Sequence, residues 1–310
     1  MLSYYAKHSP NESFQRFTTS RHDGVWVYGD EVKAEDLQQV ARQYNLNSNI
    51  VRDVTDTAER PRVECADGSL YVFLRTPHRT KRGEVSTTPL LAIATPAVYL
   101  TLAERNIFTP ETIFEGSTAV RSSDTMTLLL TTFTAVIKEY EELVHLTAHS
   151  VKDVSRRLRT HEVSNKDFIH FVTIEDNLNE YHMNLEGMLV VAKRLAENKH
   201  QLLSSDDVEM VEDIILYIGQ LLSAVSSHSQ SVTSIRNAYS TIANHTLNQR
   251  MKTLTVLTVL ITLPNVIYGM YGMNVALPLA DQPWIYGAIV VFTFLLIFVV
   301  WGLAKRFKVF

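Results

Sequence analysis

Two apolar, charge-free stretches near the C-terminus constrain this chain more than anything else in it. One runs from about Leu254 to Tyr271, the other from about Ile285 to Ala304. At about 1.5 Å of rise per helical residue, each reaches across roughly 30 Å of hydrocarbon, the first with little to spare. A soluble core helix can show this composition once. Two in tandem, joined only by Val275 to Trp284, read as membrane spans.

The first span is not uniformly apolar. Counting by three and four from Asn248 gives Met251, Thr255, Thr258, Thr262, Asn265, Gly269 and Gly272. This seven-residue repeat is a single helix face. It is polar or small, whereas the other faces carry Leu, Ile and Val. In hydrocarbon such a face must meet another helix or water. Helix packing and a water-filled conduit are equally open from the stripe alone. Two spans cannot enclose a conduit, so the second reading needs a homo-oligomer.

Charge orients the spans. Arg250 and Lys252 precede the first, and Lys305, Arg306 and Lys308 follow the second, while the connecting loop has no Lys or Arg and one acid, Asp281. The positive-inside rule puts both flanks in the cytoplasm and the loop outside. Tyr271, Trp284 and Tyr286 stand where interfacial aromatics belong.

The first span ends in Tyr271-Gly272-Met273-Asn274, and its approach reads Asn248-Gln249-Arg250-Met251-Lys252-Thr253-Leu254-Thr255. Here the chain resembles the CorA metal ion transporter family, whose hallmark is Tyr-Gly-Met-Asn at the end of the first of two C-terminal spans. The resemblance in organisation covers the whole chain; the specific motifs lie between about Asp213 and Asn274. It implies a funnel-shaped homo-oligomer with a central pore, by family resemblance a pentamer, in the cell membrane with both termini cytoplasmic. It also implies uptake of Mg2+, and of Co2+ or Ni2+, driven by the membrane potential. Gly272, Met273 and Asn274 would form the selectivity filter. Asn248, Met251, Leu254, Thr255, Thr258, Thr262, Asn265 and Gly269 would line the pore, with Met251 and Leu254 as the apolar constriction. By spacing, Asp213 matches an aspartate that contributes to an intersubunit metal site in family members, with Glu212 adjacent. Two features depart from the family. Leu263-Pro264-Asn265-Val266 differs from the commoner wording, and the basic run Pro77 to Gly83 stands near the level where members carry regulatory acids. A proton-coupled Zn2+ transporter, an Mg2+ efflux protein of the same fold, and a non-conducting membrane-anchored helical scaffold remain alternatives. Met273, where the zinc-associated branch has isoleucine, argues for the magnesium branch.

The rest of the chain fits a large cytoplasmic part. It has 310 residues and a net charge of −4, which suggests no nucleic-acid partner. Residues 1–122 read as an α/β domain, giving an α+β cytoplasmic fold ahead of the long helices. Strands are expected at Gly24–Tyr28, Val63–Ala66, Leu70–Arg75, Leu90–Thr95 and Val98–Leu102, with a helix from Lys33 to Tyr44. Ala66-Asp67-Gly68-Ser69 is a hairpin turn, and Pro77 to Gly83 a solvated loop. Residues 123–250 form a helical stalk. No proline occurs between Pro110 and Pro264, and long helices fit at about 124–160, 165–203 and 205–271, the last opened by a capping box of Ser204 and Asp207. The spans then occupy 251–273 and 285–304, around an external loop 274–284 and before a basic tail 305–310. The start of the chain has no apolar run of a cleaved signal peptide. Cys65, the single cysteine, is expected to be buried in a reducing compartment. His145, His149, His161, His170 and His182 are scattered over the helices without zinc spacing. There is no phosphate-loop or metalloprotease motif, no nucleophile–base arrangement and no requirement for a cofactor. An enzyme is the least favoured class.

Overall fold

The computed structural model describes residues 2–7, 12–17, 24–81, 83–105, 120–159, 165–274 and 282–306. The expectations placed on Arg82, His161, Lys308 and the loop residues 275–281, including Asp281, fall outside these. The chain forms two compact units, Met1–Ser234 and Ile235–Phe310.

The first unit is built on one mixed sheet. Its strands are β1 (Leu2–Ala6), β2 (Gln15–Phe17), β3 (Trp26–Gly29), β4 (Arg62–Ala66), β5 (Ser69–Arg79), β6 (Val85–Ala94) and β7 (Tyr99–Ala103). They lie in the order β2-β1-β3-β7-β6-β5-β4, with β3 and β7 parallel and the other neighbours antiparallel. Helices α1 (Ala34–Gln43) and α2 (Ser48–Arg52) cover one face, where Leu37, Val40, Ile50 and Val51 pack with Tyr71, Phe73, Leu91, Ile93, Leu100 and Leu102. Helices α3 (Thr125–Arg159) and α4 (Asn165–Ala196) lie against the other. There the Tyr99 hydroxyl donates to Thr132 Oγ1 at 2.7 Å, and the Tyr140 hydroxyl to the Arg75 carbonyl at 3.0 Å. A sheet covered on both faces needs apolar side chains on both, so Leu70 to Leu74 and Leu90 to Ala94 are buried as continuous runs. Burial of the Trp26 indole is compensated by a 2.8 Å hydrogen bond to Thr101 Oγ1.

The expected strands and first helix are all present, with shifted ends. Asp67 and Gly68, at φ of 52° and 74°, make the turn, and Ala66 faces Ser69 across it, as a two-residue primed hairpin requires. Three expectations need correction. Pro77, His78 and Arg79 are strand, not loop; β5 continues to Arg79 and the turn falls at Thr80 to Glu84. Proline is tolerated because β4 pairs only with Ser69 to Phe73, so one edge of Pro77 faces no strand. Cys65 is exposed, not buried: it lies on β4, the outermost strand, which has a neighbour on one edge only. The second long helix ends at Ala196, before the expected 203, because Asn198 turns left-handed (φ 43°) and its amide clasps the backbone of Leu203 at 2.8 and 3.1 Å. Strands β1, β2 and helix α2 have no sequence expectation behind them.

Helix α5 (Ser205–Tyr271) follows, 67 residues without interruption. Its capping box is formed: the Ser204 N–H donates to Asp207 Oδ2 at 3.0 Å and the Asp207 N–H to Ser204 Oγ at 3.2 Å. Pro264 removes one backbone hydrogen bond, but the helix runs through it to Tyr271. Helix α6 (Ile285–Arg306) closes the described chain.

Candidate functional site: the polar stripe of the first span

The site is best built from the register of α5. In the first unit its buried residues are Val211, Ile214, Ile218, Leu221, Val225 and Val232, spaced by three and four and then by one seven-residue step. This is the a/d seam of a helix packed on other helices. Counted on in the same register, the seam falls on Val256, Leu260, Leu263 and Ile267. With Pro264, these are the less exposed positions of that segment. The stripe of Asn248, Met251, Thr255, Thr258, Thr262, Asn265, Gly269 and Gly272 falls at c and f, and every member is exposed. At 3.6 residues per turn the two stripes lie about 160° apart, on nearly opposite sides. Helix α6 has a comparable seam, Ile285, Ile289, Thr293, Leu296, Val300 and Ala304, with Thr293 and Ala304 buried. Each span therefore shields one stripe, and the polar face of α5 is not the shielded one.

The remaining surface is apolar. The hydrophobic windows of the two helices are 0% and 11% buried, which separates them from the core helices of a soluble protein. Leu254, Leu257, Ile261, Phe294 and Phe298 are all exposed. Surface of this kind is stable only against lipid or other apolar protein.

The stripe has a definite chemistry. Thr255 Oγ1 donates to the Met251 carbonyl and Thr258 Oγ1 to the Leu254 carbonyl, both at 2.8 Å. Each hydroxyl proton is thus committed to the backbone, and the oxygen presents lone pairs outward. A row of acceptors suits a cation or its hydration water, not an anion. At the C-terminal end the Gly272 N–H donates to the Tyr268 carbonyl at 2.9 Å and the Met273 N–H to the Met270 carbonyl at 3.3 Å, so the helix closes with Asn274 exposed just beyond it. A Cβ on Gly269 would meet nothing within 4 Å. The fold of one chain does not demand glycine there.

Asp213 and Glu212 are exposed on α5 in the first unit. Among the described residues no three His, Cys, Asp or Glu side chains form a metal-holding group. One pair among the histidines expected to lack zinc spacing does meet: His145 and His149, on successive turns of α3. A His-x-x-x-His spacing is the signal that could have found it.

A mixed sheet between helix layers, a helix running on into an apolar span, and a second apolar helix after a short connection define the class: a membrane protein with two C-terminal helices and a large α/β unit before them. Residues 22–306 match the family model described as CorA-like Mg2+ transporter protein, and the chain belongs to that family. Among curated proteins it is similar to the cobalt/magnesium transport protein CorA of Methanocaldococcus jannaschii, 22% identical over 286 residues and covering 86% of each chain. It is also similar to the protein of that name from Thermotoga maritima, 20% identical over 280 residues, covering 85% of this chain and 79% of the other. The complete structure of the CorA magnesium transporter from Methanocaldococcus jannaschii superposes with a TM-score of 0.83 at 18% identity, over 99% of this chain and 98% of that one. The family is one of membrane transporters of divalent cations, not of enzymes.

Proposed function

We propose that this chain assembles as a homo-oligomer, by family resemblance a pentamer, whose α5 helices turn the stripe from Asn248 to Gly272 toward a common axis and conduct Mg2+ into the cell. The observation that carries the reading is the position of the stripe: polar, exposed, and opposite the seam the chain shields for itself. Such a face needs water or a second copy in hydrocarbon, and a ring of copies supplies both.

Mg2+ holds its six waters tightly, so a ring can recognise the hydrated ion without stripping it. Asn274 amide oxygens would accept hydrogen bonds from those waters and, carrying no formal charge, let the ion leave. Met273 would hold the filter in shape, and Gly272 and Gly269 would let backbone oxygens approach the axis. Asn265, Thr262, Thr258 and Thr255 would pass the ion along acceptor oxygens. Met251 and Leu254 would form a dewetting constriction, and Asn248 the polar ring below it. Co2+ and Ni2+, similarly hydrated, would share the route. Residues 1–122 and 123–250 would lie in the cytoplasm, with 251–273 and 285–304 in the membrane, 274–284 outside and the basic tail 305–310 inside. Lys305, whose ammonium lies 5.5 Å from the Trp301 ring centre, would serve as an inner interfacial anchor. An inside-negative potential contributes about 2.3 kcal/mol per charge per 100 mV, so roughly twice that for a divalent ion.

Flux of Mg2+ into liposomes at an imposed inside-negative potential tests the reading. We expect uptake that follows the potential, is blocked by hexaamminecobalt, and is lost in Asn274→Ala while assembly persists. Normal flux in that variant removes the filter role. Zinc movement coupled to protons, with no Mg2+ flux, moves the chain to the zinc branch. Outward Mg2+ transport alone makes it an efflux protein.

A further inference from the structure

Two imidazoles stand together on a helix face that ion conduction does not use. His145 and His149 are exposed on successive turns of α3, with Nε2 atoms 3.3 Å apart, ring centres 4.8 Å apart and ring planes at 87°. That separation is at the long limit for an N–H···N hydrogen bond. It is, however, the bite of a metal: two metal–nitrogen bonds of about 2.0–2.1 Å meeting at a tetrahedral angle span about 3.3–3.4 Å. The two nitrogens already stand where one ion would hold them.

We propose that His145 and His149 form a bidentate surface site for a borderline divalent ion of the Zn2+, Co2+, Ni2+ and Cu2+ class, with water in the remaining positions. Imidazole suits these ions, whereas Mg2+ takes oxygen ligands, so the pair discriminates against the proposed cargo of the pore. The flanking groups leave the pair to act alone. One turn earlier, the Glu141 carboxylate is engaged by the Tyr217 hydroxyl of α5. One turn later, Asp153 is bound to Arg156 at 3.0 Å. Glu142 and Lys152 are exposed on the adjoining turns. With no third ligand among the described residues, the site binds and releases its ion readily. The inference rests on α3 alone and stands whether or not the pore reading does.

The test is calorimetric titration of the purified full-length protein with ZnCl2, in millimolar MgCl2 to occupy oxygen-ligand sites. We expect a saturable Zn2+ isotherm that weakens by at least about tenfold in either His145→Ala or His149→Ala, the loss known even for groups that merely support a metal ligand. The electron paramagnetic resonance spectrum of the Cu2+-loaded protein should show coupling to two nitrogens, reduced to one in each single variant. His145→Gln with His149→Gln, which favours helix, repeats the comparison if the alanine variants lose helix content. A Zn2+ isotherm and a Cu2+ spectrum unchanged in the double variant overturn the proposal, since binding would then lie at other histidines.

Discussion

At the residue scale, single groups do work that their type does not announce. His78 is half-buried near the end of β5, and its Nε2 lies 2.7 Å from Arg105 Nη1. Guanidinium can only donate, so that nitrogen must be the unprotonated acceptor. Burial first, and the Arg105 charge second, hold the His78 pKa below its ordinary value. A depressed folded-state pKa contributes stability that is present above about pH 6.5 and is lost as pH falls through the lower folded value. The melting temperature of the protein in detergent should therefore fall on acidification from pH 7 to pH 5. His78→Gln should flatten that slope, and an equal slope in both proteins would show that His78 is not the group titrating. Position alone suggested a basic loop here; the pairing joins His78 on β5 to Arg105 just past β7, across the intervening β6, which no local pattern reveals.

At the element scale, helix α4 and the β5–β6 hairpin show how distant segments hold each other. Asn177 accepts from the Val85 N–H at 2.8 Å and donates to the Gly83 carbonyl at 3.1 Å, so one buried amide pins the turn of the hairpin. Asn177→Ala strands both backbone groups and should cost about 1–3 kcal/mol. For a domain of this size that is a drop of roughly 2–4 °C in melting temperature per kcal/mol, measurable by scanning fluorimetry. No change would mean that water replaces the amide. Long helices were legible because their periodicity persists over many turns. The strands β1 and β2 were not, since a short strand such as Gln15–Phe17 exists only because its neighbour pairs with it.

At the scale of the whole molecule, the sites differ in what they need from other copies. Asp213 is exposed, and no metal-holding group of three side chains surrounds it among the described residues. A metal there would have to be shared with another subunit and would be weakly held by this chain. Asp213→Ala should accordingly shift Mg2+-dependent gating only mildly, read as flux against cytoplasmic Mg2+ in liposomes. A constitutively open variant would show that this carboxylate carries the closed state.

The sequence by itself determined the two apolar helices, the long helix leading into the first, the stripe ending in Gly272, Met273 and Asn274, and thereby the family. These are periodic or local patterns, and hydrocarbon length and helix geometry act on them without help from distant residues. Tertiary structure decided what depends on contacts between segments. It placed Cys65 on an exposed edge, carried β5 through Pro77, and paired His78 with Arg105 and Asn177 with the hairpin. It also showed that α5 shields the face opposite its polar stripe. Burial and partner choice belong to the packed chain, since each is set by which elements lie alongside, and no window of sequence contains both sides of such a contact.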